Sequence, residues 1–221
     1  MGIYHALERL AEQGEDVPLF GGPWCNSTMQ EDLICVNITR AAANAADRAQ
    51  LTQAECRMRE DAYKLVALLR KLYPEFAKAS IAEIAAQGGV RETYHIRGLY
   101  TLSGADILGG APCADGVAFC SHPVDIHSAQ DNTQTAQYFD TPCPVPYRVM
   151  VAAGFDNLIA AGRCVSCVDE AYASMRVQGT CMAIGEAAGV AAAMRRETGC
   201  AVTAVNTDDL RARLQKQGAI V

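Results

Sequence analysis

The feature of this chain that most constrains its fold is the run of residues 157–194. An apolar stretch, Leu158–Ala161, predicts a buried strand that stops at Gly162. A polar loop follows, and Gly179 and Thr180 then begin a helix rich in alanine and glycine. A glycine at a strand end lets the backbone approach a ligand closely, and a helix start offers free N–H groups and partial positive charge. This order of elements therefore suits a bound nucleotide or flavin.

The same run matches a longer pattern in register. From Asn157 onward the chain reads N-L, then A-G-R-C-V-S, E-A, S-M-R-V, T-C-M, a single glycine and A-A-G, which ends at Gly189. This pattern resembles the C-terminal flavin-contacting segment of a family of FAD-dependent oxidoreductases. The upstream segments that are similar to landmarks of that family are Gly89–Thr93, Gly98–Leu102, Pro123–His127 and Val145–Arg148. The resemblance covers roughly residues 20 to 198, most of the chain.

The resemblance implies a flavoprotein with FAD as its cofactor, which transfers hydride to or from a small organic substrate. The cofactor-binding residues that it implies are Ala161, Gly162, Arg163, Arg176, Gly179, Thr180 and Cys181. Those before residue 164 would contact the ribityl and phosphate side of the flavin. Those at the helix start would lie near the pyrimidine end of the ring, where reduced flavin builds negative charge. Without the resemblance, the two arginines would be interpreted as surface ion-pair partners of Asp169 and Glu170.

One feature of the family is absent from this sequence. Its members begin with a strand and a G-x-G-x-x-G turn that holds the FAD pyrophosphate, and neither Gly21–Gly22 nor Gly109–Gly110 has that spacing. We therefore expect an α/β chain that resembles the C-terminal portion of such an enzyme, or one subunit of a split enzyme. Its partner would be a Rossmann-type subunit or a second copy of the chain. The alternative is a non-catalytic module that docks on a separate FAD-binding subunit.

The expected domain organisation follows from the same resemblance. Residues 1–150 would form a mixed-sheet, substrate-type domain. Residues 151–200 would supply a strand–helix unit that completes an FAD-binding, Rossmann-like domain, and residues 201–221 would form a C-terminal helix.

The segment H-P-V-D-I-H contains the candidate catalytic groups. Such spacing can hold a metal if the loop turns back on itself, but the chain has only four histidines and no evident open-site triad, so we predict no metal site. Asp125 and His127 can instead serve as a proton relay beside a flavin, and the family keeps the P-x-D-I-H element. Arg91 and Arg148 are candidates for anion recognition. The family's usual basic pair after Glu-Thr is replaced here by Y-H, which leaves the substrate open.

Composition and cysteine placement limit the remaining function classes. Cys164 and Cys167 form a C-x-x-C, so a second alternative is a thiol–disulfide protein that uses this pair. Most of the ten cysteines lie in apolar or small-residue surroundings, which favours free thiols and a cytoplasmic location. The net charge of −6 without a basic cluster argues against nucleic acid as a partner. No apolar stretch reaches membrane-spanning length, and residues 1–13 indicate an amphipathic helix instead of a signal peptide.

Local patterns predict the individual elements. The predicted helices cover residues 3–13, 52–73, 80–86, 179–195 and a last segment from Asn206 or Thr207 to Leu214. The predicted strands cover residues 33–38, 92–102, 116–121 and 157–161, and the proline-punctuated stretch 122–146 is predicted to be a long loop. Thr52 and Glu55 form a capping-box pattern at the start of the clearest helix.

Overall fold

The structure, a computed structural model, describes residues 2–109, 113–128 and 131–221. The chain forms two compact units: unit 1 contains the residues up to 93 together with 127–134, and unit 2 contains 94–126 and 135–221. The mixed α/β class predicted from the sequence is confirmed. The assignment of a substrate-type domain, a Rossmann-like segment and a terminal helix to successive stretches stays a prediction.

Unit 1 combines two helices with a β-hairpin. Its elements are α1 (Gly2–Glu12), β1 (Phe20–Ser27), β2 (Ile34–Thr39), α2 (Arg48–Leu72) and a 3-10 turn (Pro74–Phe76). Strands β1 and β2 pair antiparallel. The core of the unit consists of Leu7 from α1, Phe20 from β1, and Leu65 and Leu68 from α2. The predicted helix at residues 3–13, the strand at 33–38 and the helix end before Pro74 are therefore confirmed.

The start of α2 differs from the capping-box prediction. Asp47 is the N-cap, because its carboxylate accepts the backbone N–H groups of Ala49 and Gln50 at 2.8 and 3.2 Å. Thr52 then lies inside the helix and donates its hydroxyl to a carbonyl one turn back. Glu55 binds Arg59 and a backbone amide of the following segment instead of the helix start. The predicted helix at residues 80–86 is wrong: this described segment is irregular, and Arg59 donates to the carbonyl of residue 86 at 2.8 Å.

Unit 2 contains a long helix that is rich in alanine and glycine, and two short strand pairs. Its elements are α3 (Gly104–Gly109), β3 (Gly116–Cys120), β4 (Val124–His127), β5 (Gln134–Gln137), β6 (Cys143–Pro146), α4 (Asp169–Met175), α5 (Gln178–Thr198) and α6 (Thr207–Lys216), with the tip of the β4–β5 hairpin assigned to unit 1. Strands β3 and β6 pair antiparallel, and β4 pairs with β5. Helix α5 packs on β3 and on α6. Its buried residues recur at helical spacing: Thr180, Ile184, Ala187, Ala191 and Met194.

Several predictions for unit 2 are confirmed and others are wrong. The strand at 116–121, the helix at 179–195 and the Asn206 cap of α6 are confirmed, since Asn206 accepts two backbone N–H groups of the first turn. The predicted loop 122–146 contains three short strands, while residues 129–130 lie outside the described chain. The polar loop expected before α5 forms α4.

Two predicted strands, residues 92–102 and 157–161, are present only as isolated bridges. In the first of them, the N–H groups bond to different segments: Ile96 donates to the carbonyl of Cys164, and Leu99 donates to that of Val151. Because the segment alternates between two neighbours, no continuous ladder forms.

Candidate flavin site

The beginning of α5 is open to a ligand. The N-cap residue, Val177, has an extended backbone and supplies no side-chain hydrogen bond to the first turn. A helix start leaves N–H groups without intrahelical partners and carries partial positive charge. The local sequence therefore leaves backbone donors at this end of the helix for an electron-rich group.

Two glycines keep the backbone around this helix start accessible. Apart from the flanking residues and the helix's own backbone, a Cβ atom built on Gly162 or on Gly179 would meet no atom of the described chain within 4 Å. Gly162 has a φ of +79°, a conformation that side-chain-bearing residues rarely adopt. It begins a 3-10 turn, Gly162–Cys164, that packs against α5. The fold therefore places the turn that Gly162 begins against the helix whose first turn contains Gly179.

Arg176 lies at the end of α4, two residues before α5, and carries a polar atom without a partner. Its Nη2 donates to Asp125 Oδ2 at 2.6 Å, and the two side chains are 18% and 23% exposed. The Nε of Arg176 is buried and has no hydrogen-bond partner in the described chain. Buried donors of folded proteins are almost always bonded, so an orphan calls for a ligand or water. We therefore regard Nε as a second donor for a bound group.

The remaining predicted cofactor contacts lie around the same helix start but face different ways. Arg163 is exposed. Burial raises the pKa of the Cys181 thiol, and the positive charge of Arg163 opposes this effect. Thr180 is only 5% exposed, so its side chain belongs to the core and only its backbone N–H is placed for a ligand. Ala161 is half-buried and packs against the main hydrophobic core.

The candidate catalytic residues have charged partners within their own units. In unit 1, His127 Nδ1 accepts from Arg40 Nη2 at 2.9 Å, and its ring centroid lies 5.5 Å from that of Trp24. A guanidinium only donates, so His127 carries its proton on Nε2 in this arrangement. In unit 2, Asp125 binds Arg176 as described above. The sequence could not indicate Arg40, which lies 87 residues from His127.

The two arginines predicted to recognise anions differ in their surroundings. Arg148 makes a two-pronged contact with Asp115, from Nε at 2.8 Å and from Nη2 at 3.1 Å. Its guanidinium also lies 5.1 Å from the ring centroid of Tyr100. An anionic substrate would have to compete with a carboxylate that is already bound there. Arg91 is exposed in an irregular segment of unit 1.

The chain matches a known protein family over most of its length. The family model described as FAD dependent oxidoreductase matches residues 5–214. The chain belongs to the FAD-dependent oxidoreductase family. No curated protein and no solved structure matches it. The cofactor of this family is FAD, and the features at the start of α5 fit that group: open glycine backbones, an uncapped helix start and the orphan Nε of Arg176. No described helix of this family member is long and apolar enough to cross a membrane.

A histidine that sequence reasoning did not select lies beside the C-x-x-C of this oxidoreductase. His95 Nδ1 lies 2.8 Å from the carbonyl oxygen of Val165, which can only accept, so this nitrogen carries the proton. The same nitrogen lies 3.6 Å from Cys167 Sγ, and the ring meets Tyr172 edge-on at 5.1 Å. Cys164 is exposed and contacts the carbonyl of residue 161. The thiol–disulfide hypothesis for the C-x-x-C pair stays a prediction.

Proposed function

We propose that this oxidoreductase binds FAD at the start of α5 and transfers hydride between the flavin and a small organic substrate. The observation that carries the proposal is the convergence of Gly162, Gly179 and the uncapped start of α5, with the unpaired Nε of Arg176 two residues before the helix. When bound, FAD supplies the two-electron chemistry of its ring system. The protein supplies backbone donors and positive charge for an electron-rich group.

The roles of the individual residues follow from where their donors lie. The N–H groups of the first turn of α5 would stabilise negative charge at the pyrimidine edge of the flavin. The backbone of Ala161 and Gly162, with the side chains of Arg163 and Arg176, would hold the ribityl and phosphate side. Cys181 borders the same helix start.

The substrate side of the proposal rests on the other charged residues. Asp125 and His127 would form the proton relay. Arg91 and Arg148 would bind an anionic substrate group, and in the case of Arg148 this requires displacing the contact with Asp115.

The visible absorption spectrum of the purified chain, taken after incubation with FAD and gel filtration, tests the proposal. The decisive variant is Gly179→Asp, because the open space there accepts a side chain. A carboxylate in the first turn also stabilises a helix by about 0.3–1 kcal/mol. We expect this variant to fold as well as the parent chain and to lose retained flavin, since a negative charge would occupy the place of an electron-rich ligand.

The matched control is Ala193→Asp, which adds the same charge at an exposed position of the same helix. This variant should retain FAD as the parent chain does. If Gly179→Asp also retains FAD, the site does not lie at the start of α5. If the parent chain is colourless, titration with a separate FAD-binding subunit tests the alternative of a docking module. In that case, flavin retained only in the complex supports the alternative.

A further inference from the structure

Outside the flavin site, unit 2 contains two thiols that face each other at the end of a strand pair. Cys120 is the last residue of β3, Cys143 is the first residue of β6, and the two are register partners. Antiparallel partners have Cα atoms about 4.5–5.5 Å apart, within the range of about 4.4–6.8 Å that a disulfide spans. The Cα separation of this register pair is therefore compatible with a bridge.

The two side chains already interact. The proximity of Cys143 lowers the pKa of the Cys120 thiol, although burial opposes this effect, and the proximity of Cys120 together with burial raises the pKa of Cys143. When the pair loses one proton, the negative charge therefore resides on Cys120, while Cys143 keeps its proton and donates it to the carbonyl oxygen of Asp106 at 3.3 Å.

The position of the pair determines which oxidants can reach it. Cys120 and Cys143 are 0% and 2% exposed, so bulky disulfides are kept away. Both lie at the terminal pair of a ladder of only two strands, and such ends open locally more easily than a core strand. A molecule nearly as small as water gains access through that opening.

We propose that Cys120 and Cys143 are a redox-active pair that hydroperoxides convert into a disulfide. The Cys120 thiolate attacks the hydroperoxide, so that an S–O bond forms, the O–O bond breaks and the alcohol or water leaves. Cys143 then attacks the sulfenic sulfur, the S–O bond breaks, and the oxygen leaves as water. Overall, two thiols and one hydroperoxide give one disulfide, one alcohol and one water.

The disulfide would close a ring that contains the proposed proton relay. The segment between the two cysteines includes β4 and β5, and therefore Asp125 and His127. Hydroperoxides would thus act on the segment that carries these groups without touching the start of α5.

Peptide mapping tests this proposal on the full chain. The reduced protein is treated with hydrogen peroxide, remaining thiols are blocked with N-ethylmaleimide, and the chain is cleaved before aspartate. This cleavage places the three cysteines of the region on separate fragments, residues 106–114, 115–124 and 140–155. We expect fragment 115–124 linked to 140–155, with the mass of two hydrogens lost and the link broken by reductant. In urea the same treatment should scatter the links among many pairs.

Three variants separate the pair from incidental oxidation. Cys143→Ser should leave Cys120 as a sulfenic acid that dimedone traps, while Cys120→Ser should leave Cys143 unmodified. Cys113→Ser is the matched control, a nearby thiol that hydrogen-bonds to a carboxylate, and it should keep the bridge. The proposal is overturned if Cys120 and Cys143 stay reduced while exposed Cys25 is oxidised. It is also overturned if native and urea-unfolded chains give the linked fragments equally.

Discussion

Variants of the ion pair between Asp125 and Arg176 can distinguish a structural role of Asp125 from a catalytic one. Its atoms are 2.6 Å apart, and its side chains are about one-fifth exposed. A hydrogen bond to a charged group contributes about 1.5–3 kcal/mol, and solvent screening reduces this. We therefore expect a coupling energy of about 1–2 kcal/mol in a double-mutant cycle of Asp125→Asn and Arg176→Met. The single variant Asp125→Asn should lose about as much, because it leaves the guanidinium without its counter-charge.

The assay has to report on unit 2 alone. The single tryptophan, Trp24, belongs to unit 1, so its fluorescence follows a different part of the chain and serves as an internal control. Amide hydrogen exchange of α4 and α5, read by mass spectrometry, follows the unit that contains the pair. The control variant Glu186→Gln removes a charge from an exposed position of α5 and should change stability by less than about 0.5 kcal/mol. A coupling energy below about 0.5 kcal/mol would refute the structural reasoning. If Asp125→Asn loses turnover although the coupling energy is below that value, Asp125 has a purely catalytic role.

Three further predictions concern the core and the titratable groups of unit 2. Ile184→Ala, at a fully buried position of α5, should destabilise the unit by about 2–5 kcal/mol in the same exchange assay. Burial and a hydrogen bond to Asp115 raise the pKa of Cys113 to about 11, so at pH 8 mass spectrometry should show alkylation roughly a hundredfold slower than at an ordinary exposed thiol. Although burial opposes it, the contact with Arg148 lowers the pKa of Asp115, so its stabilisation is present above the unfolded pKa of about 3.9 and is lost as pH falls through the lower folded value. Arg148→Met should therefore destabilise unit 2 at pH 7, and urea titrations should show this difference shrinking toward pH 3.

The sequence predicted helices well where the information is local. Asn206 caps α6 as its side chain and the following acidic turn indicate, and α5 follows from its small-residue periodicity. The predicted start of α2 was wrong because two candidate capping residues, Asp47 and Thr52, lie five residues apart. Asp47 adds a turn to the helix by accepting two N–H groups, and Thr52 is then internal. Propensity alone does not choose between competing caps on one continuous helical pattern.

The strands and the site partners could not be predicted equally well, because they depend on distant pairing. Residues 92–102 have strand-forming side chains, but their N–H groups reach two different segments about fifty residues or more away. The glycines at 162 and 179 were identifiable, since the site needs backbone without a side chain. The partners of Arg176 and Arg148 lie 51 and 33 residues away, and no local signal pairs them.

The open start of α5 connects the stability of unit 2 to its proposed ligand. Apolar residues bury one face of the helix, while Val177 supplies no capping oxygen and Arg176 Nε has no partner in the described chain. A missing cap costs about 1 kcal/mol, and an unsatisfied buried donor costs about 1–3 kcal/mol. A ligand that satisfies both groups binds only the folded unit, so FAD at one hundred times its dissociation constant should stabilise it by about 2.7 kcal/mol. The added exchange protection should be largest in the first turn of α5, because that turn contains the donors that the ligand would satisfy.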